Sequence, residues 1–215
     1  MEYEKVLKHC KRALVPQFPQ SYIKSVSKGV YHSGNIIRAS DGCRLMEVEI
    51  EGADFEENIW DIKRNEVVEG KYPEFKNTFL ENDSDITFEI SEERIKGLKQ
   101  VLTCIKRLGY KNVVIFNSEG FWYIEPQYTE QNNDKLDNSV TINYRFSVDS
   151  EKHKEAIIKH FNVTYLLNAI DFLNEVKEIG TRVRMANKSM TPIQFSNNEF
   201  SDFKYKYLVL PTRPF

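Results

Sequence analysis

Near the start of the chain the apolar positions recur at helical spacing. Val6, Leu7, Cys10, Ala13 and Leu14 form one stripe, and Lys5, Lys8, Lys11 and Arg12 sit mainly off it. Pro16 and Pro19 end this helix, because proline lacks the N–H that a helix interior needs. The period then drops to two, which predicts strands over 24–31, 35–39 and 44–50, with Ser33-Gly34 and Asp41-Gly42 as the turns between them. The acidic stretch 51–57 reads as loop and 59–68 as one more strand. Gly70-Lys71-Tyr72-Pro73 punctuates the chain, and 81–85 reads as a linker.

A second cycle follows. Residues 86–90 alternate as a strand, and Ser91 is a good N-cap for a helix that carries Ile95, Leu98, Val101, Leu102 and Ile105 on one face. Gly109 ends that helix. Strands are expected at 112–116, 121–125 and 140–146, with the polar stretch 127–138 as a long hairpin tip. In the third cycle a strand over 156–161 leads into a helix through Tyr165, Leu166, Ala169, Ile170, Leu173 and Val176, capped by Asn162 or Thr164 and ended by Gly180. Strands at 182–186, 192–196 and 204–210 complete it. The unit is therefore strand, helix and antiparallel strands, repeated with its first strand missing in the first copy, which predicts an α+β fold.

Composition narrows the function. Hydrophobic residues make up 40% and charged residues 29%, an ordinary globular balance able to bury a core. Thirty basic residues against 32 acidic ones give a net charge of -2, so whole-molecule attraction to nucleic acid or anionic lipid is not expected, although single faces can still be basic. Cys10, Cys43 and Cys104 lie far apart with no CxxC pair, so no metal site or cofactor is expected. No apolar run reaches membrane-spanning length and no secretory leader precedes the first helix, which points to a cytoplasmic protein with reduced thiols. His9, His32, His153 and His160 make no HExxH pattern, and no GxxxxGK[ST] loop occurs, so an enzyme is not expected.

Three stretches carry a family resemblance: Ala39-Ser40-Asp41-Gly42-Cys43-Arg44-Leu45, then Val68-Glu69-Gly70-Lys71-Tyr72-Pro73-Glu74-Phe75, and the end of the chain. That end comprises the run from Phe161 to Ile170, then Pro192-Ile193, then Tyr207-Leu208-Val209-Leu210-Pro211-Thr212-Arg213. In this order they resemble the bacterial DNA sliding clamp family, the beta subunit of DNA polymerase III. The likeness is to its middle domain over 1–80, shortened here, and its last domain over 81–215. The family's first domain has no counterpart, Leu80 stands where the family commonly has proline, and Pro214-Phe215 extends past the family's usual end.

The resemblance implies sliding-clamp domains with helices on one face of curved sheets. It also implies a processivity factor that encircles double-stranded DNA as a homo-oligomeric ring, a trimer or tetramer. Expected partners are a replicative polymerase, other proteins carrying a clamp-binding motif, and a clamp loader. DNA is held through its backbone by scattered cations, for which Lys5, Lys8, Lys11 and Arg12 on the first helix and Lys96, Lys99, Lys106 and Arg107 on the second are the candidates. The same charges also fit an ordinary solvated face. The third helix, with Asp171, Glu175 and Glu178, suits DNA contact poorly.

Client peptides are expected on Gly42, Cys43, Arg44, Leu45 and Leu80, together with Asn162, Tyr165, Pro192, Ile193, Leu210, Pro211, Thr212 and Arg213. In that set Leu45, Leu80, Ile193 and Leu210 would form an apolar slot for a client's Leu or Phe, and Asn162 and Arg44 its polar edges. Without the resemblance, Leu45, Leu210 and Tyr165 read as core and Pro211 as a strand stop. The other readings are a clamp homologue that forms no ring and acts as regulator or decoy, and an unrelated domain whose aromatic residues (13%) line a ligand pocket.

Overall fold

The computed structural model describes residues 3–13, 29–75, 78–80, 86–118, 121–127, 142–147, 157–176, 180–186, 188, 190–197 and 203–213. Leu14, Pro16, Pro19, the start of the strand expected over 24–31, the linker 81–85, most of the polar tip, residues 140–141, His153, Ala156, Glu178 and Pro214-Phe215 lie outside these residues. The chain packs as two compact units. One is built from residues 1–79 and 194–208, the other from 80–193 and 209–215. No helix among the described residues is long and apolar enough to cross a membrane.

In the first unit, helix α1 (Tyr3–Ala13) precedes strands β1 (Val30–Gly34), β2 (Ile36–Ser40), β3 (Arg44–Ile50), β4 (Phe55–Asp61) and β5 (Glu66–Val67). An isolated helix of eleven residues is marginal in water, so packing must hold it. Val6, Cys10 and Ala13 are fully buried against the sheet. Along β2 and β3 the residues Ile37, Ala39, Met46 and Val48 share one face, as the pairings Ile37↔Val48 and Ala39↔Met46 require, and all are fully buried. The Tyr3 hydroxyl lies 3.0 Å from His32 Nε2, which fixes the start of α1 on β1.

The opposite face carries Tyr31, Arg38 and Glu47 in one cross-strand row. The segment after β5 folds over that face. Val68 N–H donates to the Ile59 carbonyl (2.7 Å), and the Tyr72 ring stacks on Tyr31 at 4.9 Å between centroids. The Gly-Lys-Tyr-Pro-Glu-Phe stretch is thus a lid on the sheet, with Tyr72, Phe75 and Val68 around Ile59. The sheet of this unit also takes in β12 (Ile193–Ser196) and β13 (Phe203–Val209), in the order β5-β4-β1-β2-β3-β13-β12.

In the second unit β6 (Ile86–Ile90) pairs antiparallel with β11 (Thr181–Met185). A four-stranded antiparallel sheet has the order β10-β7-β8-β9, with β7 Asn112–Ser118, β8 Phe121–Pro126, β9 Tyr144–Ser147 and β10 Ile158–Asn162. Helix α2 (Glu92–Arg107) packs on helix α3 (Val163–Val176). Ile95, Leu98, Leu102 and Ile105 of α2 are buried, as are Leu166, Ala169, Ile170 and Leu173 of α3. Ser91 caps α2, its hydroxyl accepting from Arg94 N–H (3.3 Å). At Gly97 a Cβ would stand 2.5 Å from the Tyr144 hydroxyl, so glycine lets the Tyr144 ring of β9 lie against the helix and a larger residue would push it aside.

Two expectations about elements change. The acidic stretch is not all loop, since β4 begins at Phe55 and pairs with β1, leaving Glu56 and Glu57 on the exposed side of the ladder. The strand expected over 59–68 is two strands, because the chain turns at 62–65, where Asn65 adopts φ 59°. Its reversal is held by Asp61, whose Oδ1 accepts from Lys63 N–H (2.9 Å) and Arg64 N–H (3.2 Å). The α+β fold with antiparallel sheets is as the hydrophobic pattern predicts.

Candidate functional site

In the first unit the candidate residues form the β2–β3 turn. Asp41 Oδ1 accepts from Cys43 N–H (2.9 Å) and Arg44 N–H (2.8 Å), and Gly42 supplies the left-handed position at φ 84°. Asp41 Oδ2 also takes the Arg44 guanidinium, from Nη2 at 2.6 Å and Nε at 3.1 Å. Arg44 Nη2 further reaches the Ala13 carbonyl at 3.5 Å. The turn is therefore tied to the end of α1. Arg44 and Leu45 are buried, Cys43 is half-buried and Gly42 is exposed. Arg44, expected as a polar edge, spends its guanidinium inside the turn, so what it does there is to fix the shape that Gly42 and Cys43 present.

In the second unit the remaining candidates are held by polar anchors. Asn162 Oδ1 accepts from Thr164 N–H (2.9 Å) and Tyr165 N–H (3.2 Å), so of the two possible caps Asn162 starts α3. Tyr165, one turn in, is buried. Arg184 Nη1 donates to the Leu80 carbonyl (2.7 Å), which pins Leu80 to β11. Thr212 N–H donates to the His160 carbonyl (2.7 Å), which lays the chain end against β10. Pro192, Ile193 and Pro211 are buried, Leu80 and Thr212 half-buried, and Leu210 and Arg213 exposed. Among these candidates, Leu80 and Leu210 are the apolar side chains that remain accessible.

Lysine 159 was not among the sequence candidates. It is 1% exposed, and its ammonium is bound by the Lys188 carbonyl (2.6 Å), the Thr191 carbonyl (3.0 Å) and the Thr191 hydroxyl (2.9 Å). The signal that could have found it is phase. Lys159 lies two residues before Phe161, and side chains two apart on a strand share a face. Arg184 and the His160 carbonyl leave no sequence signal at all, since each acts through a long-range hydrogen bond.

The expected DNA-facing cations divide. Lys5, Lys8, Lys11, Lys106 and Arg107 are exposed, and Arg12 is half-buried. Lys96 pairs with Glu92 at 2.8 Å, which raises its pKa through that hydrogen bond. Lys99 pairs with Asp171 at 2.9 Å, so the acidity of α3 is partly used in joining it to α2. Pairing weakens the field that Lys96 and Lys99 can offer a phosphate.

Of the histidines, His9 and His32 are buried and His160 half-buried, and burial pushes the pKa of His32 and His160 down. Burial pushes the Cys10 thiol up to about 12, so it stays protonated and unreactive. All three cysteines are free. Among the described residues no group of three or more His, Cys, Asp or Glu side chains could hold a metal ion.

No sequence-family description matches the chain, and no curated protein matches it. Solved structures do. The Helicobacter pylori beta clamp in complex with diflunisal superposes with a TM-score of 0.67 at 12% identity, over 97% of this chain and 64% of that one. A Caulobacter crescentus beta sliding clamp gives a TM-score of 0.70 at 14% identity over 100% of this chain and 64% of that one. The DNA polymerase III beta subunit of Thermotoga maritima gives 0.67 at 15% identity, over 98% and 64%. This chain thus has the fold of the bacterial DNA polymerase III beta sliding clamps and spans about two thirds of their length.

Proposed function

We propose that this chain is a DNA sliding clamp: a processivity factor without catalytic activity that assembles into a homo-oligomeric ring, a trimer or tetramer, around double-stranded DNA and docks client peptides. The observation that carries the reading is the fold likeness, which runs through the whole chain rather than one part of it. Exposed Lys5, Lys8, Lys11, Lys106 and Arg107 would face phosphates, contacts that need no base recognition. Client peptides would dock with Leu80 and Leu210 meeting an incoming Leu or Phe. Arg44 and Asn162 contribute by shaping the turn and the helix start beside them. The partners of this reading are a replicative polymerase, other proteins with a clamp-binding motif and a clamp loader, in the cytoplasm.

A second reading is a clamp homologue that binds client motifs without closing a ring. It is favoured by the net charge of -2, which gives no whole-molecule attraction to DNA.

The docking reading is tested with a labelled, extended synthetic peptide carrying adjacent Leu and Phe residues. Saturable binding is expected, lost when both are replaced by Ala. Leu210→Ser should weaken it about tenfold or more, the size of an anchor contact, with a smaller loss of folding stability than a fully buried leucine would give, since Leu210 is 36% exposed. Equal binding of the Leu-Phe and Ala-Ala peptides would contradict the reading.

A further inference from the structure

Lys159 has a chemistry that neither the fold nor the docking reading uses. A lysine ammonium carries three N–H donors and is costly to bury unless each meets an acceptor. Here three oxygens converge on it: the Lys188 carbonyl, the Thr191 carbonyl and the Thr191 hydroxyl, all within 3.0 Å. All belong to the turn that leaves β11 at Met185 and enters β12 at Ile193. The turn is also closed on itself, by Thr191 N–H to the Lys188 carbonyl (3.2 Å) and by the Thr191 hydroxyl, which lies 2.6 Å from the Lys188 carbonyl and 3.1 Å from that of Ala186. Two carbonyls and a hydroxyl turned towards one point need donors there, and an ammonium supplies three. This turn takes it from a neighbouring strand.

The strand is itself informative. Along β10, Ile158 is 60% exposed while Lys159 is buried, the reverse of what their polarity asks. Pairing fixes the phase: Phe161 stands opposite Val113 and Lys159 opposite Ile115, so Lys159 lies on the inward face with Phe161. The next residue, His160, gives its carbonyl to Thr212 N–H. Two consecutive residues of β10 therefore hold the segment leading to Pro192 and Ile193, and the segment containing Thr212.

We infer that Lys159 is a positioning residue of the client-docking site: its buried ammonium fixes Lys188 and Thr191 and thereby sets where Met190, Pro192 and Ile193 stand. This rests on the docking reading for its functional part, and on the hydrogen-bond geometry alone for the ordering of the turn.

The test separates charge from volume. Lys159→Met keeps the length of the side chain and removes the cation; Thr191→Val removes one of its acceptors and the hydroxyl's own bonds. Hydrogen exchange of the amides of Lys188, Met190, Thr191 and Ile193 is followed by NMR, together with those of β7 as an internal standard and the affinity for the Leu-Phe peptide. In the wild-type chain the Lys159 ammonium should give a protected 15N resonance. In Lys159→Met the turn amides should exchange about tenfold faster or more, the loss expected for hydrogen bonds to a charged group, with β7 unchanged and peptide affinity about tenfold weaker. Thr191→Val should move both in the same direction by less, and it decides the matter if Lys159→Met does not fold. A Lys159→Met chain with a protected turn and wild-type affinity overturns the inference. If the wild-type chain binds no peptide, the docking reading fails, and turn protection alone decides whether Lys159 orders the turn.

Discussion

Asp41 and Arg44 form an ion pair from which water is almost excluded, their side chains 3% and 2% exposed. Such a pair contributes little over a well-packed apolar replacement, but breaking it strands a charge. Arg44→Met should cost about 3–5 kcal/mol in urea unfolding, and Asp41→Asn combined with Arg44→Met less than the two single changes added together. His32 makes a second prediction at this scale. Burial holds its ring neutral in the folded chain, while the unfolded chain takes up a proton near pH 6.5. The unfolded state thus binds more protons below that pH, so the stability is fully present above about pH 6.5 and is lost as the pH falls towards the lowered folded pKa. His32→Phe should flatten the fall in unfolding free energy as the pH drops below about 6.5, leaving the share owed to His160. An unchanged slope would count against a neutral, buried His32. Residues of this kind were partly legible. The Asp-Gly turn was visible as a turn, because side-chain bonds two and three residues on are local. The burial of Arg44 was not, because it depends on Ala13, and that of Lys159 shows only as its phase with Phe161, its partners Lys188 and Thr191 lying far away in the chain.

At the scale of elements, the helices were the most legible, since periodicity, a cap and a terminating glycine are all local signals. Ser91 and Gly109 bracket α2 as the sequence predicts, with Gly109 at φ 88°. For α3 the sequence allowed two caps, and the geometry selects Asn162. Asn162→Ala should cost about 1 kcal/mol of unfolding free energy, and Asn162→Asp should retain most of it, because the acceptor stays and an anion suits a helix N-terminus. If Asn162→Ala is neutral in stability yet weakens the Leu-Phe peptide, the side chain meets the client rather than the helix. Strands were less legible where charge masked pairing. β4 carries Glu56 and Glu57 on an exposed edge of its ladder, and composition read that stretch as loop. The Tyr31 hydroxyl donates to Glu57 Oε1 (2.9 Å), so one of those acids is a partner in the sheet.

The whole molecule was legible only through the order of its motifs. Strand pairing between distant segments, such as the placement of β12 and β13 beside β3, leaves no local mark in either segment. What the sequence did show was a cycle of elements and three short stretches in the order the clamp family has them. Fold comparison now extends that likeness across the chain at identities of 12–15%. At such identities the fold is shared while surfaces are free to differ, so assembly is the property on which the account turns. Closed rings of three or four chains need two different surfaces on each chain that fit head to tail, and the oligomeric state reports it directly. The decisive measurement is the molar mass in solution by multi-angle light scattering at micromolar concentration and physiological salt. A ring-forming clamp should show a trimer or tetramer, three or four times the 25.3 kDa of one chain. A particle of one chain's mass that persists as concentration rises would contradict the ring.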